Sequence, residues 1–350
     1  MKIFFLIIIF IIIYNLNTKE NYINYNKKSN ETIFVSIPSY RDEECSITLD
    51  NLFKQAKNPE QIYVGVFTQN KLKTESCKIN KYKNNIRYLH INYKKAAGPL
   101  YARVQIINKL YKNEKYFLMI DAHSTFVKNW DEKFKKQLNF LKKKGINKPI
   151  ISSYPNPTKN NENEQNNKDI SFICNINSGN DFPRAMQAYF KPSGKFYKSY
   201  FIAAGCLFTY GTFFKEIKFD PNLKHIFNGE EILFAILAYT NGWDIYTPAY
   251  NLIFHKYGID TVNKPSWFTD NNKNKTFSKK EKDSYEKLKK IIYDPIFSKS
   301  YKYGIGNKRS LESFWKKIGY NRHESTFEKK WTEESKNNLC NKQKIIEYKF

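Results

Sequence analysis

Residues 116–123 read YFLMIDAH. Five apolar residues run without interruption into Asp121-Ala122-His123, a length that suits a short buried strand and is too short for a helix. A buried strand ending in a charged turn is what the ligand edge of an α/β sheet looks like, so the reading depends on whether the neighbours repeat the pattern. They do. IFVSI (33–37) reads as a buried strand ended by Pro38, IYVGVF (62–67) as a second and IRYLHI (86–91) as a third. Between them, Ile47, Leu49, Leu52 and Phe53 recur at helical spacing until Asn58-Pro59 stops the run. Leu100, Val104, Ile107 and Leu110 do the same after Gly98-Pro99. Residues 129–144 form a basic amphipathic helical pattern, and 149–153 begin another strand. Strands alternating with helices at this spacing predict an α/β fold with a mostly parallel sheet flanked by helices. Ligands of such sheets bind beyond the carboxyl ends of the strands.

Farther along, residues 156–180 are rich in Asn, Lys and Glu and are expected to form an exposed loop. Residues 190–219 read as strands broken by Gly and Pro, including the apolar YFIAAGCLF (200–208). A buried helix is expected over 230–239, an apolar stretch ending at His255, a charged helix over 268–293 and a last helix after Arg309. The expected organisation is an apolar segment and short stem over 1–30, one α/β domain over 31–320 and a basic tail over 321–350.

The hydrophobic share of 41% supplies a large core and excludes a mostly disordered chain. A net charge of +26 would suit a polyanionic partner, but the abundance of Lys, Asn, Ile, Tyr and Phe has the pattern of an AT-biased coding sequence. No nucleic-acid-binding motif stands out, and nucleic acid is not an expected partner. The opening MKIFFLIIIFIIIY is apolar from Ile3 to Tyr14 behind Lys2, shorter than the roughly 20 residues that span a bilayer. It reads as a signal peptide's apolar region or a short type II anchor. With no small-residue cleavage site after it, the anchor is preferred, which would attach the chain to a membrane with its domain in an ER or Golgi lumen. The cytoplasm is the alternative. Asn30 and Asn274 begin glycosylation sequons. The 5 cysteines include no C-x-x-C pair, so a zinc cluster is not expected; one or two disulfides with at least one thiol left over are.

Asp121 and His123, two residues apart after a central strand, can offer an oxygen and a nitrogen to one divalent cation. Such an ion neutralises charge on a departing diphosphate. The competing reading is a solvated turn. His255, ending an apolar run, is a third ligand or a histidine at the core's edge. In the loop after the first strand, Pro38 leads to Tyr40, which can stack on a base, and Asp42, which can accept from a base N–H; Arg41 can fork onto phosphate. An Arg–Asp pair within a turn is the plainer alternative. Arg103 lies one turn into a Pro-started helix, where it reaches a diphosphate or holds an acidic residue. Glu230 and Glu231 answer a helix dipole or face an acceptor hydroxyl.

Taken together, IFVSIPSYRDEEC (33–45), GPLYAR (98–103), DAHSTFVKNWD (121–131), AAGCLFTYG (203–211), the run from FDPNLKHIFNGEE to LIFHKYG (219–258) and YGIGNKRSLESFWKKIG (303–319) resemble one family in order and spacing. It is the hydroxyproline-linked N-acetylglucosaminyltransferases. Its best-known members modify an adaptor subunit of SCF ubiquitin ligases, and relatives act on Ser/Thr in the secretory pathway. The resemblance implies a Rossmann-like GT-A glycosyltransferase fold, UDP-GlcNAc as donor, a divalent cation such as Mn²⁺ and retention of anomeric configuration. It places Asp121, His123 and His255 on the metal and Pro38, Tyr40, Arg41, Asp42 and Arg103 on the nucleotide. Asp121, Arg103, Glu230 and Glu231 are then the catalytic set, and a hydroxyl of hydroxyproline, Ser or Thr in a polypeptide or glycoprotein is the acceptor. The anchor-like start departs from the adaptor-modifying members and favours a secretory acceptor. Two alternatives stand beside this reading: extension of a glycan from another UDP-sugar, and an inactive nucleotide- or polyanion-binding relative.

Overall fold

The computed structural model describes residues 31–73, 77–158, 168–177, 183–257, 270, 275–321, 326–327, 340–341 and 343–348. The apolar segment at 1–30 and both sequon asparagines lie outside them. Among the described residues no helix is long and apolar enough to cross a membrane.

The first half alternates as the pattern requires. Strand β1 (Ile33–Tyr40) leads to helix α1 (Cys45–Gln55), then β2 (Ile62–Asn70), β3 (Ile86–Asn92), α2 (Pro99–Lys109) and β4 (Tyr116–Ile120). A short β5 (Ser124–Phe126) precedes α3 (Trp130–Lys143), β6 (Pro149–Ser152) and β7 (Asn156–Pro157). Next come the hairpin β8 (Asp169–Asn177) and β9 (Arg184–Pro192), then β10 (Lys195–Ser199), β11 (Cys206–Tyr210) and α4 (Thr212–Glu216). The chain continues with α5 (Glu230–Thr240), β12 (Asp244–Tyr246), β13 (Ile253–His255), α6 (Lys275–Tyr293), α7 (Pro295–Ser300) and α8 (Leu311–Ile318). It ends with β14 (Tyr320–Asn321), β15 (Thr326–Phe327) and β16 (Ile345–Glu347).

Nine strands form the central sheet in the order β16-β10-β12-β6-β11-β4-β1-β2-β3. The β4-β1-β2-β3 half is parallel throughout, and β6 and β12 share its direction. Only β11 and β10 run the other way. Period-2 alternation sends Ile33, Val35 and Ile37 to one face, against α1 (Leu49, Leu52) and α3 (Trp130, Phe134, Leu138). Phe34 goes to the other face, with Leu100 and Val104 of α2, Leu233 and Leu237 of α5 and Phe314 of α8. Each such side chain, fully buried, stabilises the fold by about 1.5–3 kcal/mol. The carboxyl ends of β1, β2 and β4 therefore meet at one rim, with Asp121 just beyond β4.

Two expectations need correction. β1 does not stop at Pro38 but runs on to Tyr40. Its pairing with β4 ends at Ser36, so the later residues have only β2 beside them, where a missing N–H is tolerated. Residues 156–180 are not a single loop. Ile170, Phe172, Ile173 and Ile176 are buried in β8, a strand hidden by the Asn- and Lys-rich average around it. Two disulfides, Cys45–Cys77 and Cys174–Cys340, leave Cys206 as a buried thiol. The second joins the C-terminal segment to β8, and β16 completes one edge of the sheet.

Candidate active site

The turn from Asp121 to Ser124 is held from three sides. The buried Thr48 of α1 donates its hydroxyl to the Ala122 carbonyl at 2.8 Å and accepts the Ser124 N–H at 3.0 Å. Ser124 Oγ donates back to the Asp121 carbonyl at 3.0 Å. From the far side, β13 pairs with β5 so that His255 lies opposite Ser124, and the Lys256 N–H donates to the His123 carbonyl at 3.0 Å. This small second sheet, β5-β13-β7, brings His255 to Asp121 and His123 from a distant part of the chain.

Asp121, His123 and His255 offer ligand atoms that all lie within 4.8 Å of one another. Asp121 Oδ2 is 3.3 Å from His255 Nε2, and the two imidazoles meet edge to face at 4.4 Å between centroids. One carboxylate and two imidazoles suit a divalent transition metal such as Mn²⁺. The backbone also leaves room at the carboxylate: a Cβ at Gly205 would stand 2.9 Å from Asp121 Oδ2. The donor set and the bare Gly205 both fit a cation.

Arg103 stands behind this group. Its Nη2 donates to Asp121 Oδ1 and its Nε to Glu230 Oε1, each at 2.7 Å. The guanidinium is 4% exposed and the Glu230 side chain 3%, against 29% for Asp121. Of the two readings of Arg103, the geometry has it holding acidic residues. At the start of the same helix, Gly98 caps α2 at φ 90°, where a Cβ would crowd the Ile226 carbonyl at 3.0 Å. Burial raises the Asp121 carboxyl, but the Arg103 charge and the His255 and His123 imidazoles outweigh it and hold the group well below the usual range. Burial pushes Glu230 up to about 7 against the pull of Arg103, with repulsion from Glu231 and Asp121. Glu231 accepts from Tyr154 Oη at 2.6 Å and from the Ala204 N–H at 2.9 Å; burial raises it too. Both glutamates are thus engaged with protein groups.

The loop after β1 divides. Pro38 and Tyr40 lie within the strand, and Arg41 turns out of it at φ 50°. Tyr40 Oη donates to Asp270 Oδ2 at 2.5 Å and Arg41 Nη1 pairs with the same oxygen at 2.7 Å. The Arg41 guanidinium also lies 4.6 Å from the Tyr93 ring centre. Asp42 turns the other way and meets His123 Nδ1 at 2.7 Å, so it joins the Asp121–His123–His255 group while Tyr40 and Arg41 do not. Nearby, at the carboxyl ends of β1 and β2, Ser39 Oγ and Gln69 Oε1 are buried without a hydrogen-bond partner among the described residues. Thr48, Tyr154, Gly205 and Asp270 were not singled out from the sequence. Gly205 alone had a local signal, the AAGC break inside the apolar run.

Comparison with known proteins adds the following. The family model described as Glycosyltransferase (GlcNAc) matches residues 32–85 and 78–324. No curated protein matches the chain. Among solved structures, GalNAc-T7 with UDP, GalNAc and Mn²⁺ is similar at TM-score 0.53 and 14% identity, covering 82% of this chain. The chain spans only 54% of GalNAc-T7. S. aureus TarS 1–349 in complex with UDP-GlcNAc aligns at TM-score 0.43 and 14% identity, over 67% of this chain and 62% of that one. The likeness to GalNAc-T7 agrees with the GT-A fold.

Proposed function

The chain belongs to the GlcNAc glycosyltransferase family, and from that premise we propose that it transfers N-acetylglucosamine from UDP-GlcNAc to a polypeptide hydroxyl, of hydroxyproline, Ser or Thr, with retention. The observation that carries the proposal is the convergence of Asp121, His123 and His255 within 4.8 Å at the carboxyl edge of the sheet. GalNAc-T7, which shares the fold, was solved with UDP, GalNAc and Mn²⁺, and that supports a UDP-sugar and a divalent cation here. A cation at these three residues would supply charge neutralisation for a leaving diphosphate.

The residues around it have separable tasks. Arg103 fixes Asp121 through one oxygen and leaves the other toward His255. Ser39 and Gln69 are buried at the ends of β1 and β2. Tyr40 and Arg41 flank the same rim and are proposed to line the nucleotide side. Glu231 holds Tyr154 and the Ala204–Gly205 backbone next to Asp121, which shapes the acceptor side. With Glu231 doubly bonded and Glu230 tied to Arg103, neither carboxylate is presented as a nucleophile, which supports same-face displacement without a glycosyl-enzyme intermediate. Trapping a covalent adduct would overturn that part. Two disulfides suit an oxidising compartment, in keeping with the proposed secretory lumen.

The decisive experiment measures UDP-GlcNAc hydrolysis and transfer with and without Mn²⁺ for the parent protein and Asp121→Ala. Turnover that requires metal and disappears in the variant is expected. Turnover with a different UDP-sugar alone would shift the donor assignment, and none with any UDP-sugar would favour a binding protein.

A further inference from the structure

We propose that Asp42 is a positioning residue of the metal centre, holding the His123 imidazole by Nδ1 so that Nε2 is the nitrogen offered to the ion. The inference rests on reading Asp121, His123 and His255 as a metal site, and it gives Asp42 a task other than contact with a nucleotide base. Asp42 Oδ2 lies 2.7 Å from His123 Nδ1, and Oδ1 accepts the Glu44 N–H at 2.9 Å. Both oxygens are therefore used on the protein, and the carboxylate is only 17% exposed. An ionised carboxylate only accepts, so the proton in this contact sits on Nδ1 and the neutral ring carries its lone pair on Nε2. Metal-bound histidines commonly owe their tautomer and ring angle to such a second hydrogen bond.

The backbone around Asp42 is built to hold it there. Arg41, at φ 50°, turns the chain out of β1, and its N–H is fixed by Asn70 Oδ1 at 3.1 Å. Two residues beyond Asp42, Glu44 pairs with Lys256 at 2.8 Å, and Lys256 follows His255 directly. Residues 42–44 thus grip both histidine-bearing segments, through a side chain on His123 and through an ion pair beside His255.

The test is Mn²⁺ affinity of the full chain without nucleotide sugar, read from the electron paramagnetic resonance signal of free Mn²⁺, with a thermal melt of each variant. Asp42→Ala is expected to weaken Mn²⁺ binding by about 10- to 100-fold. Asp42→Asn, which keeps an acceptor oxygen, should weaken it less and guards against a folding defect in the alanine variant. In a His123→Ala background, Asp42→Ala should weaken it no further, because a residue acting through His123 has nothing left to position. Equal losses in both backgrounds, or unchanged Mn²⁺ affinity with weaker UDP binding, would overturn the proposal. If His123→Ala itself leaves Mn²⁺ affinity intact, the metal-site reading fails and this inference falls with it.

Discussion

Replacing Arg103 by methionine tests whether the buried cation organises the site. Methionine keeps most of the apolar stem, so the change is electrostatic more than a cavity. Arg103 is 4% exposed and pairs at 2.7 Å with both Asp121 and Glu230. Removing one partner of a buried ion pair costs about 3–5 kcal/mol, because the charge left behind has lost its counter-ion. Two features put this case at the low end. Glu230, already pushed up to about 7, can take a proton and become neutral, and Asp121 keeps His255 Nε2 at 3.3 Å. A loss of about 3 kcal/mol follows, which lowers Tm by roughly 6–12 °C at about 2–4 °C per kcal/mol for a domain of 150–250 residues. Thermal unfolding followed by circular dichroism reads this directly, in metal-free protein at pH 7. Arg103→Lys separates charge from shape. A lysine ammonium is a point charge that cannot reproduce the fork, so stability should return in part while Mn²⁺-dependent turnover stays low. If Arg103→Met melts within about 2 °C of the parent and turns over normally, Arg103 does not organise Asp121 and the argument from its ion pairs with Asp121 and Glu230 is wrong.

Gly205→Ala places a Cβ 2.9 Å from Asp121 Oδ2; displacing the carboxylate should lower kcat by about 100-fold, the scale of a 1 Å misplacement, and near-normal turnover would show that the carboxylate has room to spare. Cys45→Ser with Cys77→Ser opens a bond of sequence separation 32, so urea unfolding should show a loss of about 3–4 kcal/mol on the chain-entropy estimate; an unchanged midpoint would mean the bond contributes nothing. The pH dependence has a definite sign. Glu230 rises from 4.5 to about 7 on folding, so its contribution is fully present below 4.5 and is lost as pH climbs through about 7. Metal-free Glu230→Gln should therefore show a flatter stability profile than the parent across that window. A parent profile as flat as the variant's would rule the shift out. Asp121, held low, acts in the opposite sense and only on acidification below its ordinary 3.8.

What could be read ahead of the fold was what depends on neighbours in the chain. β4 and Asp121 were legible because an uninterrupted apolar run meets a charged turn within eight residues, YFLMIDAH. β8 was not, since Ile170, Phe172 and Ile173 break strict alternation at a register shift and lie inside a segment whose average composition is polar. His255 was legible as a third ligand or a histidine at the core's edge, but the strand pairing that carries it to Asp121 was not, because the register His255↔Ser124 joins distant segments. The same limit explains the ambiguity at Arg103, which the sequence left between phosphate and carboxylate. Burial decides it: a guanidinium 4% exposed and forked onto two carboxylates has no open face to give a diphosphate. At Asp42, each oxygen has a protein partner, the Glu44 N–H and His123 Nδ1, a pairing between separate segments that the sequence alone could not show. The order of the site follows from that. Residues nearest the rim, Asp121 and His123, remain partly open, while Arg103 and Asp42 beside them are more buried and bonded to protein groups. Such a division lets the ligands stay fixed before any substrate arrives, which is the condition under which charge stabilisation needs no reorganisation during reaction.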